Sequence, residues 1–377
     1  MKATPTAGGQ LAGTDPRIAH ERFEAALRVR RDRVYEYLDA WPGSTRFKPQ
    51  DIHDALFSYV QRRGKALRPL LLLLSCGAAG GDEEQALPAA AAVEVFHTWT
   101  LVHDDIIDRD DTRRGHPTVH AMYRNHAISE HGHAQQDAAH YGTTVAILAG
   151  DVQQAWTYGL LADLAHRGVP LPLVLELIER MATDLTPGLL EGEMLDVQYS
   201  LMPAETLDED RILHMLTMKT GTLLEYAAWC GARIGLGARP DVSGVAERLG
   251  KFASLCGTAF QLHDDVLGLT ADESRLGKPV GSDIREGKRT LIVYKALKRA
   301  APADRQFLLA TLGNADASPG EVERALAILG STGACDEVAA LAQEYVEQAL
   351  SILESVPGSE YRELLRAWAL FLLARES

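Results

Sequence analysis

Residues 101 to 120 read LVHDDIIDRDDTRRGHPTVH, in which five aspartates fall within the eight positions 104–111 and Arg113 and Arg114 follow. On a helix, Asp104 and Asp108 stand one turn apart on a shared face, with Asp105 beside them. Carboxylates held that close raise one another's pKa unless a cation intervenes. Hard oxygen donors of this kind favour magnesium or calcium. A solvated acidic helix end would satisfy the same spacing. The preceding run VEVFHTWTLVH is apolar enough to be buried, however, so the carboxylates are expected to face a cavity or an interface. A second acidic pair, Asp264 and Asp265 in FQLHDDVLGL, also follows an apolar helical run and a histidine. Two acidic walls bridged by divalent cations would clamp a polyanion, the arrangement needed to draw off a diphosphate leaving group.

The basic residues fit that chemistry. GKALRP supplies Lys65 and Arg68, TMKTGT supplies Lys219 and Thr220, and GKPVGSDIREGKRT supplies Lys278 and Lys288. With Arg113 and Arg114 they form a set of phosphate binders in a chain whose net charge is −14. That acidity argues against a nucleic-acid partner, which would call for a basic face.

The elements that position these residues read as helices. Residues 25–38, 89–108, 171–185, 211–232 and 338–353 repeat apolar side chains at three- and four-residue steps, and alternating strand patterns are nearly absent. The expectation is an all-α, single-domain bundle over residues 21–377, after a disordered leader at 1–20. Residues 124–140 are polar and are expected to form an inserted loop, in a region (116–140) holding six of the 13 histidines. Residues 277–287, rich in glycine and charge, are expected to be a second loop. The longest apolar run, 70–79, is too short to span a bilayer, which needs ~20 residues, so no stable membrane insertion is expected. Cys76, Cys230, Cys256 and Cys335 show no paired spacing, which fits a reducing cytoplasm better than a disulfide framework.

Taken in order, GKALRP, DDIID with RRGHPTVH, AILAGD, MKTGT, FQLHDD and GKPVGSDIREGKRT make the chain, from about Gly64 to Leu297, resemble the all-trans short-chain isoprenyl diphosphate synthases of the polyprenyl synthetase family. The resemblance implies long α-helices around a deep central cavity, a homodimer, and a magnesium requirement of three ions once the allylic diphosphate is bound. It places Asp104, Asp108 and Asp264 on magnesium, with Asp105 and Asp265 supporting. Arg113, Lys219 and Lys278 would grip the allylic diphosphate. Lys65, Arg68, His97 and Arg114 would hold isopentenyl diphosphate, with Lys288 also facing substrate. Gln261, Thr220 and the Lys219 carbonyl would face the developing allylic cation. Primers would be dimethylallyl, geranyl or farnesyl diphosphate. Trp99, below the first acidic motif, would set chain length, with geranylgeranyl diphosphate the expected product and farnesyl diphosphate next.

Two departures stand out. Gly268 falls where the family often carries a third aspartate, and Glu193 in GEMLD falls where it carries glutamine, with Asp196 retained. A terpene cyclase also uses DDxxD but has no reason to keep Lys65, Arg68 and Arg114. A non-catalytic partner subunit would tend to lose acidic ligands, and here both pairs remain.

Replacing Lys65 or Arg68 with alanine should raise the Michaelis constant for isopentenyl diphosphate selectively, since charge-assisted phosphate contacts contribute ~1.5–3 kcal/mol each. Steady-state kinetics with each substrate varied in turn would show this. An equal loss for the allylic substrate would rule out two separate pockets.

Overall fold

The helix Glu83–Ile107 explains the architecture around it. Its residues 89–93, 95 and 96 are wholly buried, so it is apolar on nearly every side and has to run through the centre of a bundle. Asp82 caps its start by accepting a hydrogen bond from the Glu84 N–H.

The computed structural model describes residues 16–203, 206–270 and 282–374. In chain order the helices are α1 (Pro16–Asp39), α2 (Gln50–Gln61), α3 (Leu67–Ala78), α4 (Glu83–Ile107), α5 (Val119–His131), α6 (Gln135–Ala162), α7 (Leu171–Arg180) and α8 (Thr186–Leu201). They continue as α9 (Glu209–Leu216), α10 (Thr222–Leu236), α11 (Val245–Thr270), α12 (Ser282–Glu286), α13 (Leu291–Arg299), α14 (Pro302–Thr311), α15 (Pro319–Ser331), α16 (Ala334–Leu353) and α17 (Glu360–Ala374). The helix α4 packs on α3, α6 and α10; α10 also lies along α3 and α11, and α11 along α16. A second apolar cluster gathers α9 and α13–α16 around Ile212, Leu291, Leu329 and Val338. The protein is an all-α bundle, as expected from the periodicity.

Among the described residues the one sheet is a two-residue hairpin, β1 (Thr112–Arg113) and β2 (His116–Pro117). Arg114 and Gly115 turn it with φ of 52° and 76°, the positive pair of a type I′ turn. No single helix there is long and apolar enough to cross a membrane. The bent pair α15–α16 meets the length and composition criteria, but its apolar residues are buried in the second cluster.

Three expectations change. Residues 124–140 form no extended loop: α5 and α6 occupy the segment, and only residues 132–134 separate them. Small buried residues, Ala121, Ala127 and Ala138, carry the helical packing and are easily overlooked among histidines. Of the leader, residues 16–20 belong to α1, while 1–15 lie outside the described residues. Of the loop at 277–287, Ser282–Glu286 is a short helix and 277–281 lie outside the described residues.

The crossing of α10 and α3 depends on Gly231, where an added Cβ would lie 2.0 Å from the Leu72 carbonyl oxygen. Gly231→Ala should therefore lower stability by about 1–3 kcal/mol or more, the usual cost of overpacking. Chemical denaturation checks this, and an unchanged midpoint would mean that the two helices separate without cost.

Candidate active site

Accessibility along α4 picks out one stripe. His97, Thr100, Leu101, Asp104 and Asp108 are partly exposed, while Val95, Phe96, Trp99, Val102 and Asp105 are buried. The stripe follows three- and four-residue steps, so one partly exposed face of α4 carries both outer aspartates; His103, Ile106 and Ile107 are also open near the end of the helix. Thr100 lies on it one turn below Asp104. Trp99 sits beside it, 5% exposed, with its ring 4.9 Å from Phe96 and 5.9 Å from His103.

The aspartates of the first motif have separated in role. Asp105 is turned inward: it accepts hydrogen bonds from the Tyr59 hydroxyl and, at 2.7 Å, from Arg113 Nε. Burial raises its pKa, against the pull of Arg113. It anchors Arg113 and is buried, while Asp104 and Asp108 are partly exposed. The hairpin turn brings Arg113 back onto this end of α4, where its Nη2 also lies 3.2 Å from Asp104. Asp111 accepts two bonds from Arg124 at 2.9 Å, tying the hairpin to α5.

Opposite Asp104 stands Lys219. A π-helical turn (Thr217–Gly221) joins α9 to α10, and the extra residue it accommodates presents Lys219 and Thr220 to the cleft. Helix α8 reaches this turn closely because Gly192 has no side chain; a Cβ there would lie 2.2 Å from the Lys219 nitrogen. Lys219 Nζ is 2.6 Å from Asp196, 3.0 Å from Glu193 and 3.6 Å from Asp104. Burial lifts the Glu193 pKa to about 7 despite the nearby ammonium.

On α11, Gln261 lies one turn before Asp265. The Gln261 amide accepts from the Thr220 hydroxyl at 3.1 Å and donates to Asp265 at 3.2 Å. Burial and the neighbouring Asp283 push the Asp265 pKa up to about 8. Lys288 closes the far side, 3.3 Å from Asp108, 3.1 Å from Glu286 and 3.9 Å from Asp283. Asp196 acts electrostatically on Asp265, Lys219 and Lys288 alike, and so ties the two walls into one site.

A basic patch lies further along α4. Arg68 and Arg114 both act on His97, and burial together with these cations holds its imidazole neutral, with a pKa well below the usual value. Lys65 belongs to the same GKALRP segment, at the start of α3. Of the predicted residues, these contacts link Asp104, Asp105, Asp108, Arg113, Lys219, Thr220, Gln261, Asp265 and Lys288, and Arg68, Arg114 and His97 lie together; Lys278 lies outside the described residues. Tyr59, Thr100, Asp283 and Glu286 escaped the sequence reading. The last two stood in plain view in SDIREGK, but their charges read as those of a loop.

One end of the bundle thus sets acidic side chains around Lys219 and Lys288, next to Arg68, Arg114 and His97. The profile of the polyprenyl synthetase family matches residues 49–329, and the chain belongs to that family. It is 36% identical over 330 residues to a short chain isoprenyl diphosphate synthase of Methanothermobacter thermautotrophicus, covering 87% of this chain and 91% of that one. It is 36% identical over 305 residues to a geranylgeranyl diphosphate synthase of Sulfolobus acidocaldarius, covering 81% and 84%. Its fold superposes with a TM-score of 0.81 and 30% identity on the crystal structure of a Corynebacterium glutamicum geranylgeranyl pyrophosphate synthase complexed with isoprenyl diphosphate and magnesium, covering 93% and 99%.

Removing the Lys219 charge should leave Asp104, Glu193 and Asp196 repelling one another. The Glu193 pKa, already lifted to about 7 by burial, would then rise further, and stability would be lost as pH rises through the raised value. Lys219→Met should therefore be destabilised more at about pH 8 than at about pH 5. Thermal unfolding of the variant and the parent at both pH values checks the sign. A larger deficit at the lower pH would contradict it.

Proposed function

We propose that this enzyme condenses isopentenyl diphosphate with an allylic diphosphate, head to tail and in the trans configuration, with magnesium, and that geranylgeranyl diphosphate is its main product. The observation that carries this is the stripe on α4. Its upper end meets lysines and carboxylates at Asp104 and Asp108, and its lower part meets the guanidinium groups of Arg68 and Arg114 at His97. One anion site suits a diphosphate that must leave, the other a diphosphate that must stay.

The donor set suits magnesium. It offers only carboxylate oxygens, and the buried Asp265 Oδ2 has no hydrogen-bond partner. Among the described residues no group of three potential ligands is set for a metal ion; Lys219 and Lys288 each draw three carboxylates towards their own ammonium group. Asp104, Asp108 and Asp264 would hold the ions, three in number, with Asp265 behind Asp264. Bound magnesium supplies charge neutralisation at the departing diphosphate.

The protein's own groups do the rest. Arg113, pinned by Asp105, and Lys219, with Lys278, grip the allylic diphosphate, while Lys288 faces it from the Asp108 side. As the allylic carbon–oxygen bond breaks, the Lys219 carbonyl, Thr220 and the Gln261 amide, held by its two hydrogen bonds, face the cation. Lys65, Arg68, His97 and Arg114 hold isopentenyl diphosphate so that its double bond attacks the cation. The proton then lost goes to the released diphosphate, so no side-chain base is needed.

The enzyme works in the cytoplasm as a homodimer in this reading. The cysteines are unpaired. Ile147 and Leu148, 44% and 48% exposed on α6, offer apolar surface for a second copy.

Asp104→Ala and Asp108→Ala should abolish turnover while the protein stays folded, since one lost electrostatic contact costs ~10²–10³ in rate and a metal ligand more. Asp105→Asn should lower the rate through Arg113 while leaving the magnesium requirement unchanged. Rates measured across a magnesium titration separate the cases, and near-normal turnover in Asp104→Ala would overturn the metal assignment.

Trp99 lies about 7–8 Å along the helix axis from Asp104. Trp99→Ala should deepen the space below Thr100 and lengthen the products. Product chromatography checks this: an unchanged distribution places the floor elsewhere, and wild-type products longer than geranylgeranyl diphosphate refute the length assignment.

A further inference from the structure

Glu94 is a carboxylate that the reaction above leaves unused. It lies on α4 three residues before His97, 7% exposed, in a stretch otherwise made of alanine, valine and phenylalanine. Burying an unpaired carboxylate is costly, so its partners matter. The Tyr35 hydroxyl, from α1, donates to Glu94 Oε1 at 2.7 Å, and Tyr35 itself is 1% exposed. The Gly64 backbone lies against the Tyr35 hydroxyl and counters the rise in its pKa. A Cβ built on Gly64 would lie 3.5 Å from Arg114 Nη1, 3.5 Å from the Tyr35 hydroxyl and 3.7 Å from Glu94 Oε1, so the three groups meet over that glycine's bare face. Burial raises the Glu94 pKa, while Tyr35, Arg68 and Arg114 pull it back down.

We infer that Glu94, held by Tyr35, is a positioning residue for the isopentenyl diphosphate pocket, setting the guanidinium groups of Arg68 and Arg114. The inference rests on the assignment of that pocket made above. Two guanidinium groups and a lysine directed at one diphosphate repel one another when it is absent. A carboxylate close to them offsets that repulsion, and Tyr35 keeps it in place. Tyr35 adds a second restraint: it joins the loop carrying Lys65 to the same carboxylate, and it comes from a helix outside the segment that matches the family profile.

The test is steady-state kinetics of Glu94→Gln, Tyr35→Phe and Arg68→Ala, with isopentenyl diphosphate and the allylic diphosphate varied separately and thermal unfolding recorded for each. Glu94→Gln should raise KM for isopentenyl diphosphate about tenfold or more, the size of one mis-set charge-assisted contact. The allylic KM and kcat should stay within about twofold, a split that general loosening of the fold would not give. Tyr35→Phe should shift the same constant in the same direction by less. If Glu94→Gln does not fold, Tyr35→Phe alone decides. An isopentenyl KM that is unchanged or lowered, or that rises equally with the allylic KM, overturns the inference provided Arg68→Ala raises it. If Arg68→Ala has no effect either, the pocket assignment itself fails.

Discussion

Mutual repulsion among carboxylates at the bundle mouth is the constraint on which the rest of the site depends. Asp104, Glu193 and Asp196 crowd Lys219, while Asp108, Asp283 and Glu286 crowd Lys288. Burial, with neighbouring carboxylates adding to it, raises the pKa values of Glu193 and Asp265. Such a surface has a standing demand for positive charge. Lysine meets it with three rotatable donors on a flexible stem, and so can release a carboxylate to an incoming cation without rebuilding the helix beneath.

The rigid parts of the site are held in a different way. Asp105 is fixed from two sides by Tyr59 and Arg113, and the I′ hairpin sets where Arg113 arrives. The π-turn at Thr217–Gly221 fixes Lys219 and Thr220 against α8, whose Gly192 allows the approach. Gln261 is oriented by hydrogen bonds at both ends of its amide. Ordered groups of this kind lower the reorganisation needed as charge develops. The contrast separates parts that must exchange partners from parts that must not move.

Much of this was legible in the sequence. Helical periodicity marked much of α4 and α10 through the apolar steps at 89–108 and 211–232, whereas of α11 only the apolar run before Asp264 was read as helical. The helical state of 124–140 was not legible because alanines carry its packing and three of its four histidines, His131, His133 and His140, are exposed. The inward turn of Asp105 was not legible either: DDIID shows three carboxylates, and only the position of Tyr59, 46 residues earlier, decides which one is buried. The π-turn leaves no mark in MKTGT, since it depends on how closely α8 packs. Lys288 was marked as a phosphate binder from its motif, but its bond to Asp108 joins positions 180 residues apart and required the fold.

The most direct test of the account is calorimetric binding of an unreactive allylic diphosphate analogue with and without magnesium. If the acidic walls accept the diphosphate only through added cations, omitting magnesium should weaken binding by at least about tenfold, or about 1.4 kcal/mol. Equal affinity in chelator and in magnesium would contradict it, since the lysines and arginines alone would then hold the diphosphate.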